Sequence, residues 1–498
     1  AWAITVAVHD GRTISGVWPG LREKVYGIAI DVGSTTIAGH LADLSDGAVL
    51  ASSGVMNPQI RFGEDLMSRV SYAMMHPDGA GKMTAAVRTA LNGLLAGLAV
   101  KAGIKREEIL EISIVGNPIM QHLLLGIDPT PLGSAPFALA TDAAVRIRAA
   151  ELELRVHPGA CVYLLPCIAG HVGADTAGAI LAEAPYTSET VSLVVDVGTN
   201  AEIVLGNREF LLAASSPTGP AFEGAQISGG QRAAPGAIER VRIDRQTLEP
   251  RFKVIGADVW SDQPGFDEAT RDAGVTGICG SGIVEVIAEL FLAGVITPDG
   301  IIDGSIAART SRVVADERTF SYLLHDGSAV GRPRILVTQN DVRAIQLAKA
   351  ALYAGARLLM DHAGIETVDE IRLAGAFGNQ IDPFHAMVLG LIPDCDLARV
   401  RSAGNAAGTG AFIALLSAAA RREVEDVVRT VRKVETALEP RFQEHFVDAM
   451  AIPHRTAAYP HLSQLIELPT RRAGGGTGGR AERRRRPSGV GSLRGSDA

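Results

Sequence analysis

The order of apolar and polar residues along the chain predicts short strands that alternate with amphipathic helices. Residues 26–41 (YGIAIDVGSTTIAGHL) contain two apolar, β-compatible runs joined by a turn at Gly33, which predicts a strand–turn–strand hairpin. Residues 112–115 form a short apolar strand, and helices are predicted over 120–125 and 172–183. A further helix is predicted over 82–101, where apolar residues recur at helical spacing: Val87, Leu91, Leu94, Leu95 and Leu98.

The first hairpin has a second copy in the other half of the chain. Residues 191–205 (VSLVVDVGTNAEIVL) again show an apolar strand, the triplet Asp-Val-Gly, a hydroxyl residue and a second strand. The aspartates of the two triplets, Asp31 and Asp196, are 165 positions apart. This spacing is too long for a solenoid and predicts an internally duplicated α/β fold with two lobes.

Glycine-rich segments mark several turns in the second half. A Gly/Pro/Ala-rich stretch covers 216–238, and Gly277–Gly282 leads into an apolar helix. Asp341 is a predicted N-cap of a helix that reaches about His362. Residues 371–379 (IRLAGAFGN) are predicted as a strand and a Gly-rich turn, and 404–420 as a Gly-led apolar helix. Alternating Arg and Glu over 421–447 predict a solvated helical face.

Charge is distributed unevenly. The chain has a net charge of −8, but residues 471–498 hold eight Arg against Glu482 and Asp497, so the rest carries −14. An acidic body argues against nucleic acid as the main partner. The low-complexity Arg/Gly/Ser composition of 471–498 predicts a disordered tail.

Cysteine usage and hydropathy bear on the compartment. The four cysteines contain no C-x-x-C pair, which is typical of reduced thiols in the cytoplasm: Cys161, Cys167, Cys279 and Cys395. No run of 18 apolar residues occurs, so a membrane-spanning helix is not expected. Residues 1–25 lack an initiator Met and are interpreted as a linker of one short strand and a connector, following sequence that is missing upstream.

The two Asp-Val-Gly turns predict a binding site for a metal-bound polyphosphate. A carboxylate at a strand end can hold a hydrated Mg²⁺ ion, and a glycine lets backbone N–H groups approach phosphate oxygens. Hydroxyl and amide groups add donors: Ser34, Thr35, Thr36, Thr199 and Asn200. Two ordinary hairpins remain the alternative interpretation, which the duplication makes less attractive.

The chain resembles the actin–sugar kinase–heat-shock-protein ATPase superfamily. Residues 28–41 and 192–205 resemble its two phosphate hairpins, and 371–379 its adenosine loop. Residues 170–182 and 404–416 resemble its two connecting helices. The resemblance implies two ribonuclease-H-like lobes with ATP in a central cleft. It also implies the following division: linker 1–25, first lobe 26–190, second lobe with the adenosine loop 191–403, connecting helix and C-terminal helical segment 404–470, and tail 471–498.

A narrower resemblance is to the ATP-dependent reductive activators of corrinoid proteins. It is carried by segments such as IVGNPIMQHLLLGIDP (114–129), LPCIAGHVGADT (165–176), SPTGPAFEGAQISGG (216–230) and LAGAFGNQID (373–382). The family implies ATP and Mg²⁺ as cofactors, a corrinoid protein as partner, reduction of Co(II) to Co(I), and an electron from a [2Fe–2S] ferredoxin domain or protein. This chain has no C-x₄-C-x₂-C spacing to hold such a cluster.

The resemblance also implies roles for particular residues. Asp31 and Asp196 would hold Mg²⁺ through water, and one of them or Glu202 would orient the attacking water. The residues carried over as nucleotide contacts are Gly33, Ser34, Thr35, Thr36, Gly198, Thr199, Asn200, Gly229, Gly230, Gly375 and Gly378. Gln231 departs from the expected Met. Lys349 is interpreted as a solvated lysine rather than a nucleotide ligand.

Two other functions remain open at this stage. One is a small-molecule kinase that uses the same cleft, and the other is a chaperone-like nucleotide switch. A homodimer also remains open, and the sequence identifies neither the corrinoid partner nor the electron source.

Overall fold

The computed structural model describes residues 3–378 and 380–469, which form two lobes around two large sheets. In the first part of the chain the strands are β1 (Ile4–His9), β2 (Thr13–Pro19), β3 (Tyr26–Val32), β4 (Thr36–Asp43), β5 (Val49–Met56), β6 (Ile109–Gly116), β7 (Val145–Arg148) and β8 (Cys161–Leu164). Its helices are α1 (Leu66–Met75), α2 (Gly79–Ala102), α3 (Pro118–Leu125) and α4 (Ala174–Glu183).

The second part of the chain contains more elements. Its strands are β9 (Ser192–Val197), β10 (Ala201–Gly206), β11 (Leu211–Ser216), β12 (Ala237–Ile243), β13 (Pro250–Val254), β14 (Gly277–Ile278), β15 (Val313–Asp316), β16 (Thr319–Asp326), β17 (Arg334–Val337), β18 (Glu370–Ala374), β19 (Val400–Gly404) and β20 (Arg432–Lys433). Its helices are α5 (Phe266–Ala269), α6 (Gly280–Leu292), α7 (Gln339–Ala363), α8 (Gly375–Gly378), α9 (Pro383–Leu389), α10 (Ala406–Leu416), α11 (Ala418–Val427), α12 (Pro440–Ala449) and α13 (Pro460–Leu465).

Five strands of each large sheet share one topology, and the sixth is added at opposite ends, β7 beside β8 and β20 beside β11. The first sheet has the order β5–β4–β3–β6–β8–β7 and the second β19–β18–β9–β10–β11–β20. In each, a central strand (β3 or β9) pairs antiparallel with the next strand along the chain and parallel with a later one. Three antiparallel strands followed by two parallel ones is the ribonuclease-H-like arrangement. The predicted duplication and the two-lobe α/β fold are thus confirmed.

Two helices cross between the lobes. Helix α4 follows the first sheet but packs on Val194 and Val204 of the second, whereas α10 follows the second sheet and packs on the first. The two helices touch each other through glycines, since a Cβ on Gly410 would lie 2.0 Å from the carbonyl oxygen of Gly178. Small residues at this crossing let the helices approach closely enough for both N-termini to reach the space between the sheets.

The hydrophobic pattern accounts for most of the core. In α2 the predicted apolar positions are buried in the first lobe: Val87, Leu91, Leu94, Leu95 and Leu98. By length and composition α2 is the one described helix that could cross a membrane. Its packing in this core explains its apolar character without a membrane. Between β11 and β18 the chain adds two three-stranded sheets, β13–β12–β14 and β15–β16–β17.

The structure differs from the sequence interpretation at several places. The predicted connector before Gly20 contains a second strand, β2, which pairs with β1. Thr338, rather than Asp341, is the N-cap of α7, and Asp341 completes a capping box with it. The Gly-led helix ends at Leu416, because Ser417 caps a new helix, α11. Residues 421–447 contain a strand, β20, between two helices instead of one helical face. The predicted tail 471–498 lies outside the described residues.

Candidate active site

Each large sheet carries a carboxylate at the same place on its central strand. Asp31 is the next-to-last residue of β3, and Asp196 is the next-to-last residue of β9. In the ladders Asp31 lies opposite Ala38 of β4, while Asp196 lies opposite Glu202 of β10. The two hairpins are therefore equivalent, and the second one brings an additional carboxylate.

These side chains meet between the lobes with a fourth carboxylate, Asp175, from the first turn of α4. The charge of Asp31 acts on Asp196, and the charge of Asp175 acts on Asp31, Asp196 and Glu202. All four carboxylates are half-buried: protein surrounds them, yet solvent still reaches them. They form the floor of a cleft, and we call them the acidic cluster.

Burial, together with the repulsion between neighbouring carboxylates, makes the acidic cluster hard to ionise without a cation. Burial raises the pKa of Asp31 to about 7, against a hydrogen bond from Asn405, and Asp175 adds to the rise. Burial, then the charges of Asp31 and Asp175, raise the pKa of Asp196 to about 7. Burial also raises the pKa of Asp175 to about 6, and burial with Asp175 and Asp196 raises the pKa of Glu202 well above its usual range. A bound cation would reverse these shifts.

The donor set fits Mg²⁺. Carboxylate oxygens are the hard ligands that this ion prefers, and it usually keeps several of its own waters. Among the described residues, the two groups that bring three ligand atoms within 4.8 Å of one another lie elsewhere, so the acidic cluster does not close into a direct cage. Such spacing suits an ion held through water by Asp31 and Asp196.

The first hairpin is fixed from behind by buried side chains. Asn57 donates from Nδ2 to the Gly33 carbonyl over 2.8 Å and from its backbone N–H to the Thr35 carbonyl over 2.9 Å. Arg69, which is fully buried, donates from Nη2 to the Ser34 carbonyl over 2.5 Å. In a trans peptide the N–H points opposite to the carbonyl, so the N–H groups that follow these carbonyls face away from Asn57 and Arg69. The N–H groups of three successive peptides therefore point to the side of the hairpin away from Asn57 and Arg69, where they can bind an anion.

The second hairpin is held by the segment that follows β11. Thr218 donates from Oγ1 to the Gly198 carbonyl over 2.7 Å, and the backbone N–H of Gly219 donates to the Thr199 carbonyl over 2.9 Å. The Thr199 hydroxyl donates to Glu223 over 2.7 Å and is buried. The Thr199 hydroxyl thus fastens the loop, so only the backbone of this residue is left for its predicted nucleotide contact.

Asn405 joins the second connecting helix to the first hairpin. Its Oδ1 accepts from the backbone N–H of Gly408 over 2.7 Å, which caps α10, and its Nδ2 donates to Oδ2 of Asp31 over 2.9 Å. One side chain thus starts the helix and orients the carboxylate. Asp175, the second residue of α4, lies near the start of the other connecting helix.

The other four predicted glycines lie in two places. Gly375 has φ +88°, and a Cβ there would lie 2.4 Å from Oδ1 of Asp196. It therefore borders the acidic cluster, at the end of β18. Gly378 ends α8, and Asn379 of the predicted adenosine loop lies outside the described residues. Gly229 and Gly230 flank β14: the carbonyl of Gly229 accepts from Ile278, and Gly230 bridges Ile278. The nucleotide contacts of all four glycines stay predictions.

The interpretation of Lys349 as a solvated residue was wrong. Its side chain is buried, and Nζ donates to the carbonyls of Ala451 and Pro453, the latter over 2.7 Å. Burial lowers the pKa of this lysine well below its usual range. Its role is to fasten the C-terminal segment to α7, because both acceptors belong to that segment.

Several residues of the site were not singled out from the sequence: Asn57, Arg69, Asp175, Glu223 and Asn405. Only Asp175 and Asn405 had a detectable signal, because each is a polar residue within two positions of a glycine at the start of a connecting helix. The others act through backbone carbonyls far away in sequence, which no local pattern reveals.

Comparisons with known proteins agree with this geometry. Residues 190–463 match the model of the C-terminal domain of RACo, the ASKHA domain, and residues 26–187 match the RACo middle region. The chain is 36% identical over 451 residues to the corrinoid activation enzyme RamQ of Eubacterium limosum, covering 89% of this chain and 73% of that protein.

Two further relatives extend the comparison. The [Co(II) methylated amine-specific corrinoid protein] reductase of Methanosarcina barkeri is 24% identical over 387 residues, covering 74% of this chain and 66% of that protein. The solved structure of a reductive activator for a corrinoid, iron–sulfur protein superimposes with a TM-score of 0.80 at 33% identity, covering 91% of this chain and 70% of that one. The ASKHA match implies nucleotide and Mg²⁺ binding. The chain belongs to the RACo family, the reductive activators of corrinoid proteins.

Proposed function

We propose that this chain hydrolyses Mg·ATP above the acidic cluster and thereby drives the reductive activation of a corrinoid protein from Co(II) to Co(I). The observation that carries the proposal is the 36% identity with a corrinoid activation enzyme over 89% of the chain, which spans both phosphate hairpins. The half-buried carboxylates of the acidic cluster supply the chemistry that such an ATPase needs.

The proposed roles follow from the contacts. Asp31 and Asp196 hold the hydrated Mg²⁺, which when bound neutralises phosphate charge. The outward N–H groups of the first hairpin bind phosphate oxygens, as oriented backbone amides do. Glu202 lies opposite Asp196, and its raised pKa makes its carboxylate a suitable acceptor for the proton of the attacking water.

The connecting helices link the nucleotide site to the arrangement of the two lobes. Helix α10 starts at Asn405, which binds Asp31, and it crosses α4, which starts beside Asp175. A nucleotide that contacts both hairpins favours one arrangement of these helices. ATP can shift the partner-bound state only by its difference in affinity for the two arrangements.

We assign the donation of the electron that reduces Co(II) to a separate ferredoxin domain or protein. The four cysteines of this chain lie in different elements: Cys161 in β8, Cys167 after it, Cys279 before α6 and Cys395 after α9. They do not fit the four-cysteine set of a [2Fe–2S] cluster. The chain's own part is therefore conformational, because ATP donates no electron.

Replacing Asp196 by Asn tests the proposal. The variant should fold but lose ATP hydrolysis stimulated by a Co(II) corrinoid protein, and Co(I) should no longer accumulate with a chemical or ferredoxin reductant. Asp267→Asn, on the exposed surface of the second lobe, is the matched control and should retain both activities. Undiminished hydrolysis in Asp196→Asn would refute the assignment of the site. Phosphate transfer to an added alcohol, instead of phosphate release, would identify a kinase.

A further inference from the structure

The N-terminal hairpin formed by β1 and β2 is attached to the first lobe mainly through polar groups. Its apolar side chains point outward and are exposed: Ile4 (57%), Val6 (39%), Val8 (52%), Ile14 (62%) and Val17 (55%). The inward side offers a ring contact between Trp18 and His157 and a close approach of Ser15 to Gly159. Because little apolar area holds the hairpin, the polar contacts at its turn decide whether it stays in place.

Three metal-ligating side chains meet at that turn. His9 ends β1, Glu111 lies in β6, and Cys161 starts β8. A ligand atom from each lies within 4.8 Å of the other two, and Nδ1 of His9 is 3.3 Å from Oε2 of Glu111. His9 and Cys161 are partly exposed, whereas Glu111 is buried, so an ion from solvent would reach the three ligands past the histidine and the thiol.

Each of the three ligands also has an outer partner on its far side. Nε2 of His9 is 3.3 Å from Oδ2 of Asp10, and Oε1 of Glu111 is 2.8 Å from Nη1 of Arg421. Nη1 of Arg148 donates to Sγ of Cys161 over 3.3 Å. In metal sites such partners fix the histidine tautomer, leave one carboxylate oxygen free and stabilise a thiolate. A simple ion pair between His9 and Glu111 would not require these three additional contacts.

We propose that His9, Glu111 and Cys161 form a zinc site that fastens the N-terminal hairpin to the first lobe. Nitrogen, oxygen and sulfur ligands together are typical of Zn²⁺, and three protein ligands leave a fourth tetrahedral position for water. Without a metal Cys161 is a free thiol that carries its proton. Binding forms the zinc–sulfur bond and releases that proton to solvent, which makes the affinity rise with pH.

Cobalt provides a spectroscopic test with the full chain. Metal-free protein titrated with Co²⁺ should develop a thiolate-to-metal absorption band in the near ultraviolet that saturates at one ion per chain and disappears when Zn²⁺ is added. Cys161→Ser should abolish the band, while Cys279→Ser, whose thiol contacts Ile238 and Ser281 in the other lobe, should keep it. Absence of the band in the unmodified protein, or its persistence in Cys161→Ser, would overturn the proposal.

Two further measurements test the zinc site independently: Zn²⁺ affinity after replacement of the outer partner Asp10, and hydrogen exchange of the hairpin amides. Asp10→Asn should weaken Zn²⁺ binding by roughly tenfold or more, as loss of such a partner typically does. Zn²⁺ should slow hydrogen exchange of the hairpin amides in the unmodified protein but not in Cys161→Ser. Equal exchange with and without Zn²⁺ would show that the His9–Glu111 contact alone holds the hairpin and would contradict the proposal. The site is independent of the ATPase assignment, so either can fail alone.

Discussion

Asn405 donates a hydrogen bond of 2.9 Å to Asp31, although the two residues are 374 positions apart in the chain. The bond joins the start of α10 to the carboxylate of the first hairpin. It places a side chain of the connecting helix in the proposed ATPase site, so a shift of the helix must move or release Asp31.

Replacing Asn405 separates its two roles. Asn405→Ser retains a helix-capping oxygen but cannot reach Asp31, so the midpoint of thermal unfolding should change little while ATP turnover falls about tenfold, as loss of a hydrogen bond to a charged group implies. Asn405→Ala loses both functions and should also lower stability by about 1 kcal/mol. Equal ATP turnover in Asn405→Ser and the unmodified protein would exclude the orienting role.

Gly375→Ala should disable the site through Asp196. A Cβ at this position would lie 2.4 Å from Oδ1 of Asp196, and the backbone has φ +88°. The control is Gly364→Ala, at the end of α7, where φ is +70° and nothing lies within 4 Å of the added Cβ. Both changes cost about 1 kcal/mol in backbone strain. Only Gly375→Ala should reduce ATP turnover, by at least about tenfold, and a similar loss in both variants would refute the specific contact.

Arg69 should control nucleotide affinity through the first hairpin. Its guanidinium is fully buried, burial lowers its pKa to about 10, and it holds the carbonyls of Gly63 and Ser34. Arg69→Met should raise KM for ATP about tenfold or more, since hydrogen bonds from a charged donor contribute about 1.5–3 kcal/mol. Arg69→Lys should restore part of the affinity, whereas Arg106→Met, at a half-exposed surface position, should have no effect.

A structural role alone would change stability in Arg69→Met without changing KM. Isothermal titration with ATP and ADP, together with thermal unfolding, distinguishes the two cases. Unchanged affinity in a destabilised variant would show that Arg69 supports the fold and not the hairpin.

The acidic cluster predicts a pH dependence of stability in the metal-free protein. The pKa values of Asp31 and Asp196, both about 7, are above those of an unfolded chain, so the folded state binds more protons between pH 4 and 7. This contribution to stability is fully present below about pH 4 and is lost as the pH rises through 7. Because solvent reaches the cleft, the loss should be about 1–2 kcal/mol between pH 6 and 8.

Chemical denaturation at these two pH values measures the effect. The double variant Asp31→Asn/Asp196→Asn lacks both titrating groups and should show a flatter dependence and a higher stability at pH 8. Mg·ATP should stabilise only the unmodified protein, and more strongly at pH 8 than at pH 6, since the cation binds the ionised carboxylates. A parallel pH dependence in both proteins would contradict the assignment of the shifts.

Much of the architecture could be predicted from the sequence, because the signals are local and repeated. The two Asp-Val-Gly turns predicted both hairpins and the duplicated lobes, and the helical spacing of Val87, Leu91 and Leu95 predicted α2. These features depend on the period of the apolar residues and on turn chemistry within a few positions.

Other features depend on contacts that no local pattern contains. Lys349 has the sequence context of a solvated residue but is buried against Ala451 and Pro453, because α7 is covered by a segment about a hundred positions later. The first hairpin likewise depends on distant parts of the chain, because Arg69 binds its Ser34 carbonyl and Asn405 binds its Asp31 carboxylate. The sequence by itself determined the hairpins, their carboxylates and the family. Only the tertiary structure decided what surrounds those carboxylates, because burial and charge proximity, which set their pKa values, arise when both lobes close around one cleft.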